Sequence, residues 1–151
     1  MSATTFASLA ALALVVGALI PLQAATNASM SRALGSVAFA SLAVFAVGFA
    51  FVSTWLVLTR AQVPALSAWR AAPAYGYLGG IIVGSYVLAI TFLAPRLGVG
   101  NAICFIVTGQ ILAAVAIDHF GLFGSMVQVL SWQRAAGVLL MIAGLFLAKR
   151  A

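Results

Sequence analysis

Apolar residues run in long uninterrupted blocks along this chain, and charged residues fall almost entirely between the blocks. An α-helix rises about 1.5 Å per residue, so about 20 apolar residues reach across a bilayer's hydrocarbon core. Five blocks meet that length, at about 5–27, 34–58, 74–93, 99–117 and 132–148. The connections are short. The segment from Arg60 to Pro73 carries Pro64 and Pro73, and Pro95-Arg96-Leu97-Gly98 reads as a stop between two helices. Asp118 to Ser131 forms a second connection, rich in glycine and aromatic residues. The pattern predicts an all-α polytopic membrane protein with five transmembrane helices and a single domain over residues 1–151.

Composition agrees with the pattern. Hydrophobic residues make up 66% of the chain and charged residues 5%, against about 25% charged in a typical soluble domain. One acidic residue, Asp118, cannot solvate a globule of this size. Lipid accepts an apolar exterior provided every backbone polar group is bonded internally, which a helix does. The net charge of +6 comes from seven scattered basic residues. They form no stripe of the kind that binds nucleic acid. No basic residue precedes Arg32, and the first apolar block exceeds a signal-peptide core. The first helix is therefore expected to be retained, although Leu22-Gln23-Ala24-Ala25 resembles a cleavage site. Cys104 is the only cysteine, no zinc ligand set is present, and no cofactor is expected.

Five spans put the termini on opposite sides. Arg60, Arg70 and Arg134 then face one side, and Arg32, Arg96, Lys149 and Arg150 the other. A Lys/Arg excess orients membrane proteins, and here the excess is a single residue. The expectation is insertion in both orientations and an antiparallel homodimer, with the symmetry of an inverted repeat assembled from two chains. The competing reading is one orientation set by the Lys149-Arg150 pair. Gly76, Gly80 and Gly84 are spaced four apart and predict one close-packed helix face, in this chain or against a partner.

Polar groups within a span are costly and few. Gln23 and Asn27 share a face just after Pro21. Tyr86, Asn101 and Gln110 complete a candidate substrate-binding set, with the alternative that these groups only bond across helices. Ser85, Thr91 and Thr108 are expected to bond back to their own helices. Asp118 and His119 are the acidic residue and the histidine of the chain. They either titrate or serve as interfacial anchors, with Asp118 paired to an arginine such as Arg134. A membrane-embedded carboxylate is absent from every mid-span position. That disfavours a cation/proton antiporter and favours a neutral or anionic substrate, which Arg32 and Arg96 near span ends could attract. No catalytic constellation is present, so an enzyme is not expected.

Several motifs carry a resemblance. They are Gly17-Ala18-Leu19-Ile20-Pro21-Leu22-Gln23-Ala24-Ala25-Thr26-Asn27, then Leu34-Gly35-Ser36, Leu78-Gly79-Gly80 and Pro95-Arg96-Leu97-Gly98. Gly109-Gln110 and Asp118-His119-Phe120-Gly121-Leu122-Phe123-Gly124 belong with them. Together they resemble the YdcZ-like five-helix group of bacterial inner-membrane exporters within the drug/metabolite transporter superfamily. The resemblance covers nearly the whole chain. It implies a small-molecule exporter in the inner membrane, with single, paired or fused copies in opposite topologies, and relatedness to small multidrug exporters. Relatives are expected to carry a serine near Ala114 of this chain, so a shared substrate does not follow. The alternative function is a non-transporting membrane scaffold or auxiliary subunit of the same fold.

The near balance of basic residues generates a direct test. Reporter fusions to the C-terminus are expected to give signal from both sides of the membrane. Signal from one side alone would remove the main support for an antiparallel pair.

Overall fold

The computed structural model describes residues 2–150; the side chains at positions 3 and 148–150 lie outside the description. Every regular element among the described residues is helical. The chain forms two compact units, Met1–Arg96 and Leu97–Ala151.

In the first unit, α1 (Ala3–Leu34) starts from Ser2, whose hydroxyl accepts from the Thr5 amide. It runs through Pro21 and well past the expected end near Asn27. Nothing near Asn27 breaks a helix, and the stop comes at Gly35, which takes the left-handed conformation with φ 64°. The expected second helix follows at once as α2 (Val37–Leu58), capped by the Ser36 hydroxyl accepting from Phe39 N–H. The proline-flanked connection holds a short helix, α3 (Leu66–Ala71), and a 3-10 turn at Ala74–Tyr77. Helix α4 (Leu78–Leu97) then passes through Pro95. The expected stop at Pro95 lies three residues later, at Gly98, because Pro95 falls in the last turn and Gly98 supplies φ 81°.

Helices α1 and α2 pack against each other. The buried face of α1 is Ala24, Asn27, Ala28 and Ser31, spaced as one helical stripe. Ala40 and Ser41 are the buried residues of α2. Small side chains let the backbones approach closely, which is how helices associate where lipid removes the hydrophobic drive. Helix α4 buries Val87, Ile90, Thr91 and Ala94, again one stripe. The three glycines are placed differently. Gly76 lies in the 3-10 turn, off the helix that carries Gly80 and Gly84. A methyl group at any of the three would meet nothing within 4 Å in this unit.

The second unit is a helical hairpin of α5 (Val99–Phe120) and α6 (Trp132–Arg150). Cys104 is buried and its thiol donates to Leu145 O at 3.1 Å. Phe105 and Phe146 meet edge to face at 5.8 Å. Thr108 donates back to Cys104 O at 2.8 Å, as expected of a hydroxyl in a membrane helix.

Four helical segments are long and apolar enough to cross a membrane: Thr4–Leu34, Val37–Leu58, Ala74–Leu97 and Val99–Phe120. The apolar part of α6, Trp132–Leu147, is shorter. Large apolar side chains such as Leu14, Phe49, Val57 and Ile81 are more than half exposed, as an exterior facing lipid requires.

The end of α5 yields a prediction. Gly121 has φ 60°, and a Cβ there would sit 2.7 Å from Val127 Cγ2. Gly124 has φ 78° with open space around it. Gly121→Ala is expected to cost about 2 kcal/mol or more, from left-handed strain plus overlap. Gly124→Ala is expected to cost about 1 kcal/mol, from strain alone. Unfolding in mixed detergent measures both, and equal losses would contradict the packing of Val127 over Gly121.

Candidate functional site

Helix α1 carries Gln23 and Asn27 one turn apart, and the packing of α1 on α2 turns that face toward a groove. The groove holds about 400 Å³. Leu19, Leu22 and Met30 of α1 and Val44 and Val47 of α2 form its walls, with Gln23, Thr26 and Asn27 among them. The lining is mostly apolar with a few polar groups, the usual make-up of a small-molecule site.

The polar groups differ in how free they are. Thr26 Oγ1 donates to Gln23 O at 2.9 Å and is used by its own helix. Gln23 is half-buried. Asn27 is 3% exposed, and its amide nitrogen is buried with no hydrogen-bond partner. An unpartnered buried donor of this kind costs about 1–3 kcal/mol. Pro21, one turn before the wall at Gln23 and Thr26, has no N–H and so leaves the Gly17 carbonyl without its helical donor. Both features put unused hydrogen-bonding capacity on α1 at membrane depth.

The other expected site residues have separate fates. The Tyr86 hydroxyl on α4 is buried without a partner. Asn101 donates from Nδ2 to Leu97 O at 2.8 Å, which secures the break between α4 and α5 and leaves its carbonyl oxygen unbonded. Gln110 lies exposed on α5, in the second unit. The structure therefore brings Gln23 and Asn27 together in one groove and assigns Asn101 a bond to the chain break.

Two residues passed over in the sequence emerge here. Ser41 on α2 is 3% exposed with its hydroxyl buried and unpartnered, and Ser31 on α1 is 8% exposed. Ser31 was legible as the next turn of the Ala24–Asn27–Ala28 stripe. Thr91 corrects an expectation. The sequence suggests a bond to its own helix, yet its Oγ1 is fully buried and unpartnered. The side chain rotamer, not the residue type, decides whether a threonine folds back.

Asp118 and His119 both bond within the hairpin. Arg134 Nη2 donates to Asp118 Oδ2 at 2.5 Å, with the side chains 28% and 32% exposed, the expected pairing. Arg134 Nη1 also donates to Gln128 O at 2.9 Å, and Gln128 N–H to Asp118 O at 2.9 Å. His119 Nδ1 accepts from Leu130 N–H at 3.0 Å. These bonds hold the 121–131 connection against the end of α5. Among the described residues there is no cluster of three ligands for a metal ion.

Residues 8–147 match the model of a protein family described as "Putative inner membrane exporter, YdcZ". No curated protein and no solved structure matches the chain significantly.

The contrast between a free amide and a committed ion pair sets a stability prediction. Asn27→Leu is expected to leave stability unchanged or to raise it by about 1 kcal/mol, since it removes an unsatisfied donor at similar volume. Arg134→Met is expected to lower stability by about 1 kcal/mol or more, because it leaves a half-buried carboxylate and the Gln128 carbonyl unpaired. Thermal unfolding in detergent compares them; a large loss in Asn27→Leu would show that the amide is held by a partner.

Proposed function

This chain belongs to the YdcZ inner-membrane exporter family, and from that premise we propose that it exports small neutral or anionic molecules through the groove between α1 and α2. The observation that carries this reading is the Asn27 amide: buried, unpartnered and placed in the wall of a mostly apolar groove of about 400 Å³. A buried donor without a partner is retained against its cost when a ligand uses it. A substrate carrying a carbonyl, carboxylate or phosphoryl oxygen would accept from Asn27. Gln23 would add a second amide one turn away, and Leu19, Leu22, Val44 and Val47 would hold the apolar remainder.

The charge inventory favours the same substrate class. The groove walls carry no ionisable group. The one carboxylate of the chain, Asp118, is committed to Arg134. A mechanism that exchanges a bulky cation for protons at an embedded acid has no residue here to run it.

The functional form we infer is a dual-topology antiparallel homodimer with the architecture of the drug/metabolite transporter superfamily. The groove is open on the surface of the first unit, and a second inverted copy would close it. The unfilled space beside Gly80 and Gly84, and the exposed Gln110 as a further amide, suit contact with such a copy. This form needs α6 as a fifth span, which its shorter apolar stretch achieves by local thinning of the bilayer.

The test uses proteoliposomes loaded with a panel of neutral and anionic metabolites. Wild-type protein is expected to release at least one of them faster than empty vesicles. Asn27→Leu is expected to slow that release about tenfold or more, the worth of a hydrogen bond to a charged group, with cross-linked dimer unchanged. Equal release by the two proteins would remove the groove from the pathway, and no release of any compound would favour the scaffold.

A further inference from the structure

At one end of the first unit, the end of α1, the start of α2 and the end of α4 surround a second cavity of about 400 Å³. Its lining is far more polar than that of the groove and includes Ser31, Arg32, Val37 and Arg96. Two positive side chains from different helices thus share one hollow.

Neither arginine is neutralised. Residues 2–96 contain no Asp or Glu, so no carboxylate of this unit can pair with them. Arg32 makes no hydrogen bond or ion pair among the described residues. Arg96 stacks over the Phe92 ring at 3.5 Å and spends one donor on Phe92 O at 2.7 Å. That contact fixes the plane of its guanidinium and leaves the other N–H groups of a five-donor fork free.

Two further groups face the same space. Helix α2, 22 residues long, begins at Val37 in the cavity wall. The Ser36 hydroxyl satisfies Phe39 N–H, which leaves the first amides of α2 unclaimed and its positive dipole end open. Ser31 is 8% exposed, lines the cavity and makes no hydrogen bond. An unbonded hydroxyl in the cavity wall adds a further donor for a ligand there. Gly35 leaves the rim clear, since a Cβ there would meet nothing within 4 Å.

We propose that this cavity, built from Arg32, Arg96, Ser31 and the start of α2, binds a phosphate-bearing anion. Donors arriving from three helices suit a tetrahedral oxyanion with several acceptor oxygens, and guanidinium forks match phosphate oxygens in pairs. The volume leaves room for an esterified group beyond the phosphate. The site lies where spans end, so the phosphate comes either from an anionic lipid headgroup or from a free phosphorylated solute. The site is distinct from the groove and stands whether or not the groove carries substrate.

The experiment uses the full chain in detergent at constant ionic strength, with native mass spectrometry as the readout. The probes are phosphatidylglycerol, phosphatidylcholine and inorganic phosphate. Wild-type protein is expected to retain phosphatidylglycerol about tenfold more strongly than phosphatidylcholine, or to bind inorganic phosphate. The Arg32→Gln/Arg96→Gln variant is expected to lose that preference, and Arg60→Gln/Arg70→Gln to keep it. Lipid held against excess phosphate identifies a headgroup site; lipid displaced by phosphate identifies a site for the free anion. If the double variant does not fold, Arg32→Gln alone, an exposed position, is expected to weaken binding severalfold. Equal binding by wild type and the arginine variants overturns the proposal, as does a wild type that binds neither phosphate nor phosphatidylglycerol above phosphatidylcholine.

Discussion

In hydrocarbon, each polar group of the chain must find its partner within the protein, because no water is present to supply one. Most of this structure follows from that constraint. The backbone meets it by forming helices and by capping them tightly: Ser36 at the start of α2, Asn101 across the break at Gly98, and Arg96 on the last turn of α4. Turns are compressed to one or two residues at Gly35 and Gly98, where glycine at positive φ allows one helix to end and the next to begin. The connections at 59–77 and 121–131 are longer, and the second recruits Asp118, His119 and Arg134 to bond its backbone.

Against that economy, the groups left without partners are informative. Asn27, Ser41, Tyr86 and Thr91 are buried in the first unit with unused hydrogen-bonding atoms. Asn27 lines a groove with apolar walls, and the proposed export of a small molecule with one polar end rests on it. The charged groups are segregated from it. Arg32 and Arg96 gather at the span ends, where an anion has access from water or from the lipid surface.

The relation between the two polar regions is a division of labour by dielectric. Amides and hydroxyls, whose desolvation is affordable, sit at membrane depth; guanidinium groups sit at the ends, where headgroups and water reduce their cost. The absence of acid residues from residues 2–96 makes the arginines receptive to an external anion. The single carboxylate of the chain is used to close a loop.

The amino-acid sequence by itself determined the membrane character, the all-helical class and the position of most spans, because length and unbroken hydrophobicity are local properties. It also identified Gln23 and Asn27 as neighbours, since a spacing of four places two side chains on one helix face. Asp118 and Arg134 were legible as partners because a short connection joins them. Tertiary structure alone decided the rest. Helix α1 runs on to Leu34 because nothing near Asn27 breaks it, and α4 runs past Pro95 because a proline in the last turn leaves the ending to Gly98. Within the first unit close packing involves Ala24, Ala28, Ala40 and Ser41, since which face meets a neighbour depends on the rotation of each helix, and periodicity leaves that angle open. The meeting of Arg32 with Arg96 at the start of α2 joins residues 64 positions apart in the chain, a juxtaposition that only the packing of three helices creates.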